Sequence, residues 1–179
     1  MNTGRTGSYS LVSRGLGEPL FRITFIEHGY TFVAKATIAD CVRALKREER
    51  VYHHLQSLQG TQVPVYLGAI DLRDIDQIYF DNLSGDHLIY FTLLSWGGCA
   101  LYEYDRWGRK EISQQVSLLL QAMEDHGVEH GDVRDANILW DEKAGRAMMI
   151  DFDRAVLDKD RPPELQEYYL NKRRRRENK

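Results

Sequence analysis

The stretch HGDVRDANILWDEKAGRAMMIDFD, residues 130–153, limits what this chain can fold into more than any other. It sets one acid two residues after a histidine, Asp132, an amide five residues further on, Asn137, and a second acid at the end of an apolar run, Asp151. Ile138, Leu139 and Trp140 make one short apolar strand and residues 147–150 another, with Asp141, Lys143 and Gly145 between them as turn formers. The segment reads as loop, strand, turn, strand, loop. A hairpin of that kind brings Asn137, just before its first strand, close in space to Asp151, just after its second. Two oxygen ligands then converge on one side of a hard cation such as Mg²⁺, which takes few ligands from protein and the rest from substrate phosphates. Any one of these acids alone would be ordinary surface decoration; the ordered set is more demanding.

Upstream, residues 20–27 and 30–38 are rich in β-branched and aromatic side chains, and His28-Gly29 connects them as a hairpin. Alternation along the second strand puts Thr31, Val33 and Lys35 on one face and Phe32, Ala34 and Ala36 on the other. An ammonium in an apolar strand is costly to bury alone, so Lys35 should reach solvent or meet a carboxylate. The following segment offers one. Asp40 is a suitable N-cap, and Val42, Leu45, Tyr52 and Leu55 recur as the stripe of an amphipathic helix running to near Gly60. Glu48 falls on or beside that stripe, and Glu49 is almost as well placed by periodicity. His53 and His54 point about 100° apart on a helix, which argues against a shared metal.

Residues 63–71 read as a further strand, 71–86 as a polar loop with a short strand at 77–80, and 87–94 as a continuous apolar strand suited to the centre of a sheet. Ser95-Trp96-Gly97-Gly98 then lets the chain turn and expose backbone groups. Residues 101–107 form a short helix or an irregular stretch, and 111–126 a long helix with Ile112, Val116, Leu119, Leu120 and Met123 inward and Gly127 ending it. Near the start, Gly15 and Gly17 form Gly-Leu-Gly before a strand, a weak signal for a phosphate-covering loop because Leu20 stands where the third glycine of G-x-G-x-x-G would fall.

H-x-D-x-x-x-x-N followed by an apolar-flanked D-F-x matches the protein-kinase signature in order and approximate spacing. With Lys35, Glu48, Asp132, Asn137 and Asp151 all in order, the chain resembles the protein-kinase-like superfamily over about residues 15–157. The phrases VPVYLGAIDL, LSWGG, HGDVRDANILW, IDFDRA and NKRRRR are more specifically similar to a large group of fungal protein-kinase-like proteins, in which such a module often ends longer chains. His130-Gly131-Asp132 is similar to Rio-type kinases and aminoglycoside phosphotransferases, where glycine replaces the arginine of His-Arg-Asp.

The resemblance implies an α+β, protein-kinase-like bilobal fold: an antiparallel N-lobe sheet with one long helix and a truncated, mainly helical C-lobe. Residues 1–160 would form a single kinase-like domain, with the N-lobe to about 95, a hinge at 95–98 and a minimal C-lobe at 99–160, followed by a basic tail at 161–179. It implies ATP and Mg²⁺ as cofactors, Asp132 as the base, Asn137 and Asp151 as metal ligands, and Lys35 held by Glu48 to grip phosphates. Val33 and Leu139 would line the adenine slot, Gly15 and Gly17 the phosphate loop. Arg134 falls where serine/threonine kinases carry a lysine that contacts the γ-phosphate, a role open to a guanidinium. The departures count too. Asp153 replaces the glycine of Asp-Phe-Gly, Gly131 cannot anchor a phosphorylated loop, and no Ala-Pro-Glu follows.

These features point to an ATP- and Mg²⁺-dependent phosphotransferase acting on a hydroxyl, of a protein or a small molecule, with a pseudokinase that binds nucleotide or partners as the alternative. With 42% hydrophobic residues and 28% charged, 179 residues can bury one core or two small lobes. No run is apolar enough to cross a bilayer and the N-terminus does not read as a signal peptide, so no membrane partner and an intracellular location, cytoplasmic or nuclear, are expected. Cys41 and Cys99 form neither a disulfide framework nor a zinc pattern. Six basic residues and one acid among the last nine leave the rest of the chain eight charges negative. That body disfavours nucleic acid. The run Lys172, Arg173, Arg174, Arg175 and Arg176 reads as a solvated end or a nuclear-import signal.

Overall fold

The computed structural model describes residues 7–15, 18–80, 85–104 and 110–177. The chain divides into two compact units. The first comprises residues 1–49 and 65–96, the second residues 50–64 and 97–179.

In the first unit, β1 (Gly7–Gly15), β2 (Glu18–Phe25), β3 (Tyr30–Thr37), β7 (Tyr90–Ser95) and β4 (Tyr66–Asp71) form one antiparallel sheet in the order β1-β2-β3-β7-β4. A ribbon of β5 (Tyr79–Phe80) and β6 (His87–Leu88) stands beside it. Alternation sorts the two faces. Phe21, Ala34, Ala36 and Leu88 make one core, with Ile23, Phe91 and Leu93 against it, and Tyr79 sets its ring edge-on to Phe21 at 5.8 Å. Helix α1 (Val42–His54) supplies the other core, where Val42 and Leu45 pack with Ile89 and Tyr90.

In the second unit, β8 (Cys99–Ala100), β10 (Ile138–Asp141) and β11 (Arg146–Met149) form a three-stranded sheet, and β9 (Val128–Glu129) pairs with β12 (Val156–Leu157). Helix α2 (Lys110–Asp125) lies against β11 and β9. Ile112, Leu119 and Met123 are its buried residues, while Val116 and Leu120 are half-buried at the margin of the stripe. Gly127 ends the helix at φ 68°, a left-handed position that glycine fills without a Cβ penalty.

Four expectations shift. Asp40 does not cap α1: residues 39–41 make a 3₁₀ turn and the α-helix begins at Val42. The helix stops at His54 instead of near Gly60, and a 3₁₀ turn at Gln56–Leu58 follows. Leu55 and Leu58 stay buried through that change, so the apolar period runs on while the hydrogen bonding does not. The strand expected over 87–94 breaks at Ile89, whose N–H donates to the Thr37 carbonyl and whose carbonyl accepts from Leu72. Residues 163–177 form helix α3 (Pro163–Glu177) where a solvated tail was expected. Proline at its first position, Glu164 in its first turn and the arginine run at its end all suit the helix dipole.

The Gly97-Gly98 pair is required by the close passage of β10. Gly98 sits at φ 107°, and a Cβ there would lie 2.1 Å from the Trp140 carbonyl oxygen. Gly98→Ala should therefore cost about 1–3 kcal/mol from backbone conformation alone, and more from the overlap with a strand that cannot give way. Urea denaturation measures this directly; an unchanged midpoint would show the contact to be absent.

Candidate active site

The candidate residues fall in both units, and each group is described within its own unit. In the first, the period-two pattern of β3 turns Lys35 to the face covered by α1. Its Nζ donates to Glu48 Oε2 at 2.9 Å, with the lysine 6% and the glutamate 1% exposed. Removing one partner of such a pair leaves an uncompensated buried charge, which costs about 3–5 kcal/mol. Val33, two residues back on the same face, is half-buried opposite Leu94 of β7. Gly15 closes β1 opposite Glu18; Gly17 lies outside the described residues.

The neighbouring acid, which periodicity left as the alternative partner, has its own task. Glu49 accepts from Tyr66 Oη at 2.7 Å and Tyr90 Oη at 3.1 Å, on β4 and β7. Consecutive residues on a helix point about 100° apart. Glu48 and Glu49 therefore hold α1 at two angles, so that it cannot roll about its axis without breaking one set of bonds. Nothing in the sequence singles out the two tyrosines, which come together only when β4 and β7 pair.

In the second unit the site grows from the β9–β12 ribbon. His130 follows β9 and is buried. Its Nε2–H donates to the Ile150 carbonyl at 2.8 Å and its Nδ1 accepts from the Asp132 N–H at 3.3 Å, a pattern that fixes the neutral tautomer. Its ring packs on Phe152 at 5.0 Å, and Phe152 meets Tyr52 edge-on at 5.3 Å. His130 is thus a strut for the loops on either side of it.

Asn137 is buried, and its Nδ2 donates to the Asp132 carbonyl at 2.9 Å and to Asp132 Oδ2 at 3.2 Å. Its nitrogen is thereby committed to Asp132. Ile150, the residue before Asp151, donates to the Asn137 carbonyl at 3.0 Å. This stitch and the His130 bond bring the Asp151 backbone to the Asn137 loop. The hairpin between them turns as its residues imply, with Asp141 Oδ1 accepting from the N–H groups of Lys143 and Ala144. Asp151 itself holds φ 68°, a conformation that costs a non-glycine residue about 1–3 kcal/mol and tends to persist where function requires it.

Arg134 places Nε 3.2 Å from Asp132 Oδ2; the arginine side chain is 59% exposed and the acid 23%. Leu139 is half-buried on β10, paired with Met148 and Ala100. Gly131 has a reason that the sequence did not display. It sits at φ 79°, and a Cβ there would meet the Arg154 carbonyl oxygen at 2.6 Å. The segment after Asp153 packs where a larger residue at position 131 would need to be.

Residues 96–177 match the family model described as lipopolysaccharide kinase (Kdo/WaaP) family. The second unit is similar to kinases. The matched segment contains Asp132, Asn137 and Asp151 and runs to the end of α3. Over 149 residues, 80% of its length, the chain is 38% identical to the meiotic driver SPOK2 of Podospora anserina, and it spans 18% of that protein.

The tyrosine contacts give a pH dependence. Burial, reinforced by Glu49, raises the Tyr66 phenol above its usual value and Tyr90 to about 12. The unfolded phenols ionise first, near pH 10, so the stability these groups contribute is complete below that pH and is lost as pH rises through the folded values. Folded-state stability should fall between about pH 10 and 12, and the Tyr66→Phe, Tyr90→Phe double variant should flatten that fall. Denaturation midpoints across the range test it; an equally steep fall in the double variant would remove these tyrosines as the cause.

Proposed function

We propose that this chain is an ATP- and Mg²⁺-dependent phosphotransferase that moves the γ-phosphoryl group of ATP to a hydroxyl of a protein or small molecule. The observation that carries it is the buried Lys35 to Glu48 pair. A buried ion pair is a poor way to stabilise a fold, but it is an effective way to hold an ammonium fixed for phosphate oxygens. The match of residues 96–177 to a kinase family supports the same chemistry. The likeness to the Podospora protein supports the finer reading, a fungal kinase-like module within a longer driver-type protein.

Asn137 and Asp151 suit Mg²⁺ by the chemistry of their donors: two oxygens, one amide and one carboxylate, with the Asn137 nitrogen already committed to Asp132. That is a ligand set for a metal that meets protein through few groups and substrate phosphates through the rest. Mg²⁺ held there would neutralise charge on the phosphates. Lys35, fixed by Glu48, binds phosphate oxygens in this reading, and Val33 and Leu139 bind the adenine. Asp132 orients the acceptor hydroxyl and takes its proton. The acceptor oxygen forms a bond to the γ-phosphorus while the bond from that phosphorus to the β-γ bridging oxygen breaks, and ADP leaves. Arg134 reaches the transferring phosphate from the same loop. Most of the acceleration comes from positioning and fixed charge.

Thermal unfolding in the presence of ATP and Mg²⁺ tests the nucleotide half of this reading. Ligand at a hundred times its dissociation constant should stabilise the fold by ~2.7 kcal/mol. Lys35→Met and Asp151→Asn should each remove most of that gain, while Asp132→Asn should keep it. No shift at millimolar nucleotide with the metal present would overturn the proposal.

A further inference from the structure

The arginine run is not uniform once folded. Arg173 turns inward, and its Nη1 donates to the Glu124 carbonyl at 3.0 Å and to Asp158 Oδ2 at 2.5 Å. Gly127 makes room for it: a Cβ there would meet that same nitrogen at 3.0 Å. Arg161 joins from the other side. Its guanidinium pairs with Asp158 at 3.1 Å and with Glu129 of β9, and lies over the ring of Tyr169 at 4.3 Å. Both arginines keep mostly buried side chains, 12% exposed for Arg161 and 20% for Arg173. Arg175, two residues on, is exposed.

What these contacts grip is the ribbon that carries the loops of the candidate site. Asp158 follows β12, and its N–H donates to the Gly127 carbonyl at 2.8 Å, extending the pairing of Val156 with Glu129 and Leu157 with Val128. At its other end the same ribbon runs directly into His130 and out of the segment after Asp151. A pair of two-residue strands is too short to hold its own register against fraying. Something must fix it: Arg161, just before α3, reaches Glu129 of β9, and Arg173 of α3 reaches Asp158 after β12.

We propose that α3 is the prop of the catalytic loop, with Arg173 and Arg161 as positioning residues that act through the β9–β12 ribbon on Asp132 and Asp151. The functional part of this rests on the phosphotransferase reading; the mechanical part does not. The clasp holds the ribbon from beyond β12, adding to the packing of α2 against β9. It also gives Arg173 an inward, structural task within the basic run, in contrast to the exposed Arg175.

The test uses the full chain with Arg173→Met, Arg173→Lys and Arg175→Met, read by backbone hydrogen exchange and by transfer kinetics. One nitrogen of Arg173 makes both contacts, so lysine should serve and methionine should not. Arg173→Met should raise exchange about tenfold at residues 128–132 and 150–158, while β3, β7 and the core of α2 keep wild-type protection. In the same variant kcat for γ-phosphate transfer should fall about 10- to 100-fold and Mg²⁺-ATP binding should weaken with it, because Asp151 is loosened together with Asp132. Arg173→Lys and Arg175→Met should match wild type in both readouts. Faster exchange confined to α3, or spread evenly over the whole second unit, would overturn the proposal, as would an equal effect from Arg175→Met. A wild-type protein that transfers no phosphate would overturn the phosphotransferase reading, and the exchange pattern would still decide the clasp.

Discussion

The contact between the Lys35 ammonium and the Glu48 carboxylate at 2.9 Å governs the first unit. Two charges removed from water must face each other closely or raise the energy of the fold by several kcal/mol. That demand fixes the facing of β3, because slipping the strand by one residue would send Lys35 to the opposite face. It also fixes the rotation of α1, and the Glu49 contacts to Tyr66 and Tyr90 remove the remaining freedom. Two acids in succession hold the helix against the sheet from two directions.

The second unit solves a different problem, that of holding a loop which regular structure does not reach. His130, Asp132, Asn137 and Ile150 are joined by hydrogen bonds that run back and forth between two segments. Phe152 closes them from below against the His130 ring. The strained φ of Asp151 and the crowding of Gly131 against Arg154 both follow from how tightly these segments pass each other. The replacement of arginine by glycine in the His-x-Asp motif, which in the sequence reads as the loss of an anchoring group, is in the structure a condition for packing.

Residues whose chemistry depends on a local period were legible in the sequence. Alternation showed the facing of Lys35, the helix stripe narrowed its partner to Glu48 or Glu49, and turn residues showed the hairpin that joins Asn137 to Asp151. Periodicity was blind where geometry changes without a change in burial. The end of α1 was missed because Leu55 and Leu58 remain buried across the passage from α-helix to 3₁₀ turn. It was blind again where identical residues do different things. Four consecutive arginines give no local sign of which one turns inward, since that depends on Asp158 and on the carbonyl at the end of α2. Glu49 was visible as a rival to Glu48 but not as its complement, because its partners come from two strands distant in sequence.

The proposed phosphotransfer depends most on Asp132 taking a proton from an acceptor hydroxyl. Release of labelled γ-phosphate from Mg²⁺-ATP, onto the protein or to water, tests it most directly when wild type and Asp132→Asn are compared at matched nucleotide occupancy. The account predicts measurable transfer by the wild type and a loss of about 10²- to 10⁴-fold in the variant, the range expected for a general base, with Mg²⁺-ATP still bound. Equal rates in the two proteins, or a wild type that binds Mg²⁺-ATP and transfers nothing, would contradict it.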